Sequence, residues 1–198
     1  MDPKTISTYN QIAKDYDEET TPFWEEIPAT IFDKFSKLVT GKVLDIGSGP
    51  GRDGLLLKNK GLDVVCLDAS ESMIEMSKSR GLESVLGDFM DLPFPDHTFN
   101  GIWAYTSLLH IPKKDIDIAF NEINRTLTKK GILGLGLIEG ETEGYKDSDD
   151  NGHLRWFSFY TKEEIEKLLD KHGFEIIYFE IFKPRKKNYL NFIAQKRG

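Results

Sequence analysis

The chain has 198 residues, and its 26 Lys and Arg against 33 Asp and Glu give a formal net charge of −7. A chain of this length buries roughly 70% of its unfolded surface, so its core needs no disulfide or metal. The one cysteine, Cys66, excludes an internal disulfide and favours a reducing compartment, the cytoplasm. An acidic chain lacks the basic footprint that nucleic-acid-binding proteins usually carry. These observations predict one domain spanning residues 1–198, without a membrane span or a secretion signal.

Two amphipathic patterns come first and predict helices over residues 3–19 and 23–38. Thr21 and Pro22 are typical of the start of the second helix. Residues 1–38 are therefore expected to form a helical extension ahead of the first strand.

From residue 42 onward, short apolar runs alternate with helical patterns. The run from 132 to 138 is almost wholly apolar, as expected for a strand buried on both faces of a parallel sheet. Such alternation is typical of a doubly wound, Rossmann-like α/β fold. Strands are predicted over residues 42–46, 63–67, 84–86, 99–104 and 132–138, and helices over residues 55–60, 70–80 and 113–127.

The last part of the chain behaves differently. Residues 139–152 are rich in glycine and acidic side chains, which predicts an exposed, mobile loop. A helix is expected to begin at Thr161, where two glutamates follow in its first turn. Apolar runs at 174–182 and 189–194 then flank a basic turn and predict an antiparallel hairpin. The complete prediction is an α/β/α sandwich with a mainly parallel seven-stranded sheet and this hairpin at one edge.

Residues 45–51 read Asp-Ile-Gly-Ser-Gly-Pro-Gly at the end of the first predicted strand. Glycines let the backbone approach a ligand closely, and the free amides of the following helix favour a negatively charged group. A phosphate-binding loop needs Lys and then Ser or Thr, but the chain has Arg52 and Asp53. The dinucleotide pattern Gly-x-Gly-x-x-Gly, counted from Gly47, ends on Arg52, which disfavours that interpretation. The Asp45 carboxylate suits a positively charged ammonium group. The expected ligand therefore carries both a negative and a positive group.

These residues resemble the glycine-rich motif of class I S-adenosylmethionine-dependent methyltransferases. Residues 66–70 resemble the second motif of that family, in which an acidic residue binds the ribose hydroxyls. Residues 87–90 resemble the next motif, whose Asp binds the adenine amino group, and residues 99–112 resemble the motif that passes near the sulfonium. The likeness covers residues 41–139 and continues over residues 157–174, whose helix and turn are common in the small-molecule branch. It implies a small-molecule methyltransferase that uses S-adenosyl-L-methionine and releases S-adenosyl-L-homocysteine.

The resemblance also implies roles for single residues. Asp68 matches the ribose acceptor and Asp88 the adenine acceptor, although Asp68 also fits a helix cap and Asp88 a turn. Met73 fits an adenine contact or core packing. The residues expected to bind the cofactor are Tyr16, Asp45, Gly47, Ser48, Gly49, Gly51, Asp68, Ala69, Met73, Asp88, Phe89 and Tyr105.

The first helix resembles the amino-terminal lid of the same family. Tyr9, Ala13 and Tyr16 fall at i, i+4 and i+7 and therefore share one helix face. A helix with two tyrosines on one face suits closure over a cofactor, which excludes water. The alternative is an ordinary amphipathic helix packed on the sheet.

Methyl transfer needs a base only when the acceptor must lose a proton. His110 is the best-placed candidate, since it follows the fourth predicted strand; a histidine bonded to backbone at a helix start is the alternative. Tyr105, Glu139 and His153 are further candidates. Beside the acidic loop, His153 and Arg155 suit either a substrate contact or a solvent-exposed position.

Several acceptor classes are disfavoured by the residues after the fourth strand. The chain reads Ala-Tyr-Thr-Ser at 104–107, where enzymes that methylate amino groups of nucleic-acid bases usually have Asn or Asp followed by Pro-Pro-Tyr. No carboxylate cluster for a metal and no nucleophilic Cys stands there. A small, partly apolar acceptor is expected, with no nucleic-acid or membrane partner and no metal. The aromatic residues that would line its pocket, or belong to the core, are Trp103, Tyr105, Trp156 and Phe157.

Two other functions fit the same pattern less well. A noncatalytic sensor or scaffold would bind S-adenosylmethionine without turning over any acceptor. A nicotinamide-dependent oxidoreductase would bind a dinucleotide, which Arg52 disfavours.

Overall fold

The computed structural model of the chain describes residues 1–20, 22, 30–147, 151–184 and 186–198. Within these ranges the strands form one seven-stranded sheet and one separate two-stranded sheet.

The main sheet follows the doubly wound pattern. In chain order the strands are β1 (Lys42–Ile46), β2 (Asp63–Asp68), β3 (Glu83–Leu86), β4 (Phe99–Tyr105), β5 (Leu127–Ile138), β6 (Glu143–Asp147), β7 (Leu154–Ser158), β8 (Phe174–Phe182) and β9 (Tyr189–Lys196). The order across the main sheet is β3-β2-β1-β4-β5-β9-β8. Strands β1 to β5 run parallel, whereas β9 is antiparallel to both β5 and β8. The predicted fold, including its C-terminal hairpin, is confirmed.

Helices cover both faces of this sheet. They are α1 (Pro3–Thr20), α2 (Thr30–Leu38), α3 (Arg52–Asn59), α4 (Glu71–Ser79), α5 (Ile116–Thr126) and α6 (Lys162–Lys171), with 3₁₀ turns at Leu108–His110 and Lys113–Asp115. Helix α1 confirms the first predicted helix. Of the predicted helix over 23–38, α2 confirms the second half, and residues 23–29 and Thr21 lie outside the described residues.

Local sequence explains where two of these helices begin. The Ser70 hydroxyl accepts a hydrogen bond from the Met73 amide at 3.2 Å and caps α4. Thr161 and Glu164 form a capping box at the start of α6, each side chain accepting from the other's backbone amide. Both starts agree with the sequence analysis.

The core has two layers because consecutive residues of a strand face opposite sides. Along β4, Ile102 and Ala104 join the layer formed with α5 and α6. Trp103 and Tyr105 join the layer formed with α2 and α3. Cys66 belongs to this second layer and is fully buried. This burial of both faces is the reason that the central strands read as continuous apolar runs.

The predicted exposed loop over residues 139–152 is wrong at 143–147, where the chain forms a strand. Strand β6 begins at Glu143 and pairs antiparallel with β7. The hydroxyl of Ser158 also donates to the Glu143 carboxylate at 3.0 Å, which ties the two strands together. Residues 148–150 lie outside the described residues.

The boundary between the fifth helix and the fifth strand also differs from the prediction. The 3₁₀ turn Lys113–Asp115 precedes α5, and β5 begins at Leu127 rather than at 132.

Among the helices that the structure describes, none combines the length and apolarity needed to cross a bilayer.

Candidate active site

A cavity lies at the carboxyl ends of β1, β2 and β4, beneath α1, and measures about 670 Å³ when the solvent space at its mouth is included. This is the edge of a doubly wound sheet at which ligands bind. Most of the predicted site residues meet there: Tyr16, Asp45, Gly47, Ser48, Gly49, Asp68, Ala69, Met73, Phe89, Tyr105 and His110 line the cavity.

The turn after β1 forms the floor of the cavity. Gly47 (φ +65°) has no room for a side chain, because a Cβ there would lie 2.3 Å from the Ser107 Cβ. At Gly49 (φ +55°) a Cβ would meet only the Tyr16 ring, at 4.0 Å, so this position opens onto the cavity. Gly51 is not among the residues that line the cavity. A Cβ there would meet the Ser77 hydroxyl at 2.5 Å. Gly51 therefore serves the packing of α3 against α4.

Asp45 is the most unusual charge of the site. Its side chain is 2% exposed, and among the described residues its Oδ2 atom has no hydrogen-bond partner. Burial raises the pKa of this carboxyl well above its usual range, and the nearby carboxylates of Asp53 and Asp68 raise it further. A cationic ligand group at this position would satisfy the free oxygen and hold Asp45 ionised. An ammonium group of the kind carried by S-adenosylmethionine fits this requirement.

Asp68 ends β2 and is held by backbone amides on both sides. Its Oδ2 accepts from the Gly49 amide at 2.8 Å and its Oδ1 from the Ser70 amide at 2.9 Å. Burial raises the pKa of Asp68, and these hydrogen bonds oppose the rise. A carboxylate has about four lone-pair sites, so beyond its backbone partners Asp68 can also accept from a hydroxyl group of a ligand. The arrangement fits a ribose.

The third predicted acid, Asp88, stands just behind the cavity. Its Oδ1 accepts from the Met90 amide at 2.9 Å, and its Oδ2 contacts the amino group of Met1. Phe89 and Met73 are 2% and 1% exposed and present apolar surface to the cavity. These two side chains suit the faces of a flat aromatic base.

Helix α1 crosses above the cavity and is bonded on both flanks. On one flank, the Asn10 side-chain oxygen accepts from the Ser70 hydroxyl at 2.7 Å and from the Ser72 amide at 3.2 Å. On the other flank, the Thr8 hydroxyl donates to the carbonyl of Leu154 in β7 at 2.9 Å. The helix thus joins α4 to the β6–β7 pair across the cavity.

His110 lies at the end of a 3₁₀ turn and is 5% exposed. Its Nδ1 lies 2.6 Å from the Trp156 carbonyl oxygen, and its Nε2 lies 2.8 Å from the Tyr9 hydroxyl. Burial lowers the pKa of His110 to about 4, so the ring is uncharged at neutral pH. Arg155 donates from Nη1 to the same Tyr9 hydroxyl at 3.2 Å.

The other predicted candidates lie in different surroundings. Trp103 is fully buried and donates to the Asp53 carboxylate at 2.8 Å, so it belongs to the core. Phe157 packs against the His110 ring, with the two centroids 4.9 Å apart. Glu139 is exposed and accepts from the Asn188 amide, away from the cavity. Arg155 is 8% exposed, so the solvent-exposed alternative for this residue is wrong.

Sequence reasoning assigned no site role to Asn10 or Asp53, and it named Tyr9 only as part of the lid face. Tyr9 carried a signal, because its helical spacing from Tyr16 placed both rings on one face; the ring centroids are 5.3 Å apart. Asn10 carried no such signal, since its partners lie about sixty residues away in the sequence.

Within the described ranges, no group of three His, Cys, Asp or Glu side chains is arranged to hold a metal ion.

Comparison with known proteins agrees with this geometry. Residues 43–131 match the model of a protein family described as a methyltransferase domain. This part of the chain is therefore similar to a methyltransferase domain, and the fold is the Rossmann-like fold of solved S-adenosylmethionine-dependent methyltransferases.

Individual proteins extend the likeness over more of the chain. The methyltransferase GfsG of Streptomyces halstedii is 27% identical over an alignment of 167 residues. The alignment covers 77% of this chain and 59% of GfsG. The chain thus spans less than two thirds of the length of that relative. Two solved structures share the fold at low identity. A DhpI–SAH complex has a TM-score of 0.80 at 20% identity, covering 98% of this chain and 96% of DhpI.

The second solved structure is an N1-methyltransferase of Burkholderia thailandensis with bound 1,6-didemethyltoxoflavin and S-adenosylhomocysteine. It has a TM-score of 0.72 at 18% identity, covering 97% of this chain and 88% of that one.

Proposed function

We propose that this protein is a methyltransferase that transfers the methyl group of S-adenosylmethionine to a small-molecule acceptor. The proposal rests on one arrangement: a buried Asp45 carboxylate with an unsatisfied oxygen faces the same cavity as the amide-held carboxylate of Asp68. An ammonium group and a pair of ribose hydroxyls are the ligand groups that this pair requires.

Each element around the cavity has a part in this proposal. Asp45 holds the ammonium group, the turn at Gly49 leaves room for the ligand, and Asp68 accepts from the ribose. Phe89 and Met73 border the adenine, while Asp88 lies within reach of that end. The cofactor supplies an activated methyl group with a good leaving group, so the protein has mainly to align the acceptor and exclude water. Helix α1, as a lid over the cavity, supplies the exclusion.

A small acceptor is supported by how the cavity is covered. Helix α1 crosses it and is bonded to α4 on one flank and to β7 on the other, which leaves a partly covered space suited to a compact molecule rather than to a polymer. The Burkholderia thailandensis enzyme, which shares the fold, is described with bound 1,6-didemethyltoxoflavin. The net charge of −7 opposes binding to nucleic acid.

The first test is calorimetric titration of the purified chain with S-adenosylmethionine and, separately, with NAD. We expect the chain to bind S-adenosylmethionine but not NAD, and Asp68→Ala to weaken the binding by roughly 10- to 100-fold, since ribose hydrogen bonds to a charged group are lost. Asp63→Ala is the matched control, because Asp63 is exposed at the opposite end of the same strand. Absence of S-adenosylmethionine binding by the folded wild-type chain would refute the proposal. Binding without transfer to any acceptor of a broad screen would favour a noncatalytic sensor.

A further inference from the structure

A chain of hydrogen bonds runs from β7 through α1 to the turn after β4. Arg155 Nη1 lies 3.2 Å from Tyr9 Oη, Tyr9 Oη lies 2.8 Å from His110 Nε2, and His110 Nδ1 lies 2.6 Å from the Trp156 carbonyl oxygen. Tyr9 and His110 both line the cavity. This series of hydrogen bonds therefore links the buried guanidinium of Arg155 to two side chains that line the active site.

The chemistry of the two ends fixes the direction of every hydrogen bond between them. The Trp156 carbonyl can only accept, so His110 Nδ1 carries the hydrogen and Nε2 of the neutral ring holds a lone pair. The Tyr9 hydroxyl must then donate to Nε2. A guanidinium can only donate, so Arg155 donates to the Tyr9 oxygen. The Tyr9 hydrogen thus points to His110, and the Tyr9 oxygen keeps lone-pair density for a further donor.

The charges around the pair favour this assignment. Burial lowers the pKa of His110, and Arg155 lowers it further while Asp2 acts in the opposite direction. Around Tyr9, burial and Tyr16 raise the phenol pKa, Arg155 lowers it, and Asp68 raises it. The Arg155 guanidinium lies 5.1 Å from the Tyr9 ring centroid and 5.5 Å from that of Phe157, which holds it in place.

Building on the proposed function, we propose that Tyr9 and His110 act together as the proton acceptor for an acceptor molecule whose methylated atom carries an N–H or O–H hydrogen. The acceptor's X–H bond breaks as its X–CH₃ bond forms, and the electron pair of the S–CH₃ bond stays on sulfur. The acceptor proton passes to Tyr9 Oη while the Tyr9 hydrogen passes to His110 Nε2. Arg155 is a positioning residue that orients the Tyr9 oxygen.

Charge balance supports the order of these events. A proton on His110 before methyl transfer would place two positive charges in one buried site. During transfer, the positive charge lost at sulfur reappears on the imidazole, so the net charge of the site is unchanged. Proton transfer therefore accompanies or follows methyl transfer. A carboxylate or thioether acceptor has no proton to lose and would leave this hydrogen-bonded chain without a use.

The first readout is the ring of His110 itself, observed by ¹⁵N NMR of the ligand-free chain and assigned with His110→Asn. We expect hydrogen on Nδ1 only, and a pKa near 4 that rises to about 5 in Tyr9→Phe, because the neutral ring loses its donor. Tyr145→Phe is the matched control, since its hydroxyl bonds to Asp2 in the same region but not to His110. A hydrogen on Nε2, or a Tyr9→Phe spectrum like that of the wild type, would overturn the proposal.

The second readout is transfer of radiolabelled methyl from S-adenosylmethionine to panels of amines, alcohols and phenols, and to carboxylates and thioethers. We expect transfer to the protic panels only, and a loss of kcat of about 100-fold or more in Tyr9→Phe and His110→Asn but not in Tyr145→Phe. S-adenosylmethionine affinity of His110→Asn, measured by calorimetry, is expected to stay within about threefold. Transfer to carboxylates or thioethers alone would overturn this inference and leave the proposed function standing. A wild-type chain that binds no S-adenosylmethionine would overturn both.

Discussion

The buried carboxyl of Asp45 lowers the free energy of unfolding of the ligand-free protein. Its pKa is raised in the folded state, so folding stability is greatest below the unfolded pKa of about 3.9 and falls as the pH rises through the folded pKa. At neutral pH the buried carboxyl therefore reduces the free energy of unfolding. We expect Asp45→Asn to raise the Tm of the ligand-free chain at pH 7 by about 2–6 °C, with a smaller difference near pH 4.

Scanning calorimetry at the two pH values measures this effect. Asp63→Asn is the control, since this exposed side chain lies at the far end of the neighbouring strand. The same Asp45→Asn variant should bind S-adenosylmethionine more weakly, so stability and binding change in opposite directions. A Tm for Asp45→Asn that falls at pH 7 would contradict the account of an unsatisfied buried charge.

Among single residues, the sequence predicts best those site residues whose position follows from the local backbone. Gly47, Gly49 and Asp68 lie at strand ends and line the cavity, as the glycine-rich pattern and the family resemblance indicated. Arg155 shows the limit. Its burial depends on Tyr9 and Phe157 packing around its guanidinium, and no local pattern predicts contacts between α1 and β7.

At the scale of whole elements, α1 is the part of the site that should move most easily. Asn10 supplies part of its hold on α4, since its side-chain oxygen accepts from Ser70 and Ser72. An ion pair between Asp17 and Arg80 supplies another part. We expect Asn10→Ala to speed amide hydrogen exchange in α1 by roughly 5- to 10-fold, because a bond of about 1 kcal/mol is lost. Exchange in the central strands should not change.

Gln11→Ala is the matched control for this measurement, since Gln11 is the next residue of the same helix and is exposed. Mass spectrometry of peptides from residues 3–20 reads out both variants. Similar exchange in the two variants would mean that the Asn10 contacts do not restrain the helix.

The β6–β7 pair is the element that sequence analysis missed, and the reason is physical. Strand β6 is exposed at four of its five positions, so it shows no alternation of apolar and polar side chains. Its pairing depends on contacts made by other elements, such as the Glu143 carboxylate, which accepts from the Lys113 amide at 2.7 Å. Composition favoured a loop, whereas tertiary contacts stabilise a strand.

At the scale of the whole molecule, the sequence predicted the sheet but not the order of its last two strands. The structure places β9 inside, next to β5, and β8 at the edge. Burial explains this order: β9 is buried at five consecutive positions, whereas β8 is fully buried only at Phe174. The apolar runs alone do not indicate this order, because β8 has seven apolar residues in nine and β9 has five in eight.

The cavity draws its lining from α1 and from the ends of several strands, so ligand binding should stabilise the molecule as a whole. A ligand present at 100 times its Kd contributes about 2.7 kcal/mol to the free energy of unfolding. For a chain of this size that corresponds to a rise in Tm of roughly 5–11 °C, and each further tenfold increase in ligand adds about 1.4 kcal/mol. We expect S-adenosylmethionine to produce this graded rise in a thermal melt followed by circular dichroism, and NAD to produce none.

In Asp68→Ala the plot of Tm against ligand concentration should shift to higher concentration, whereas in Asp63→Ala it should match the wild type. A rise that saturates at low ligand, or one that is equal in Asp68→Ala and the wild type, would show that the ligand does not bind across the strand ends.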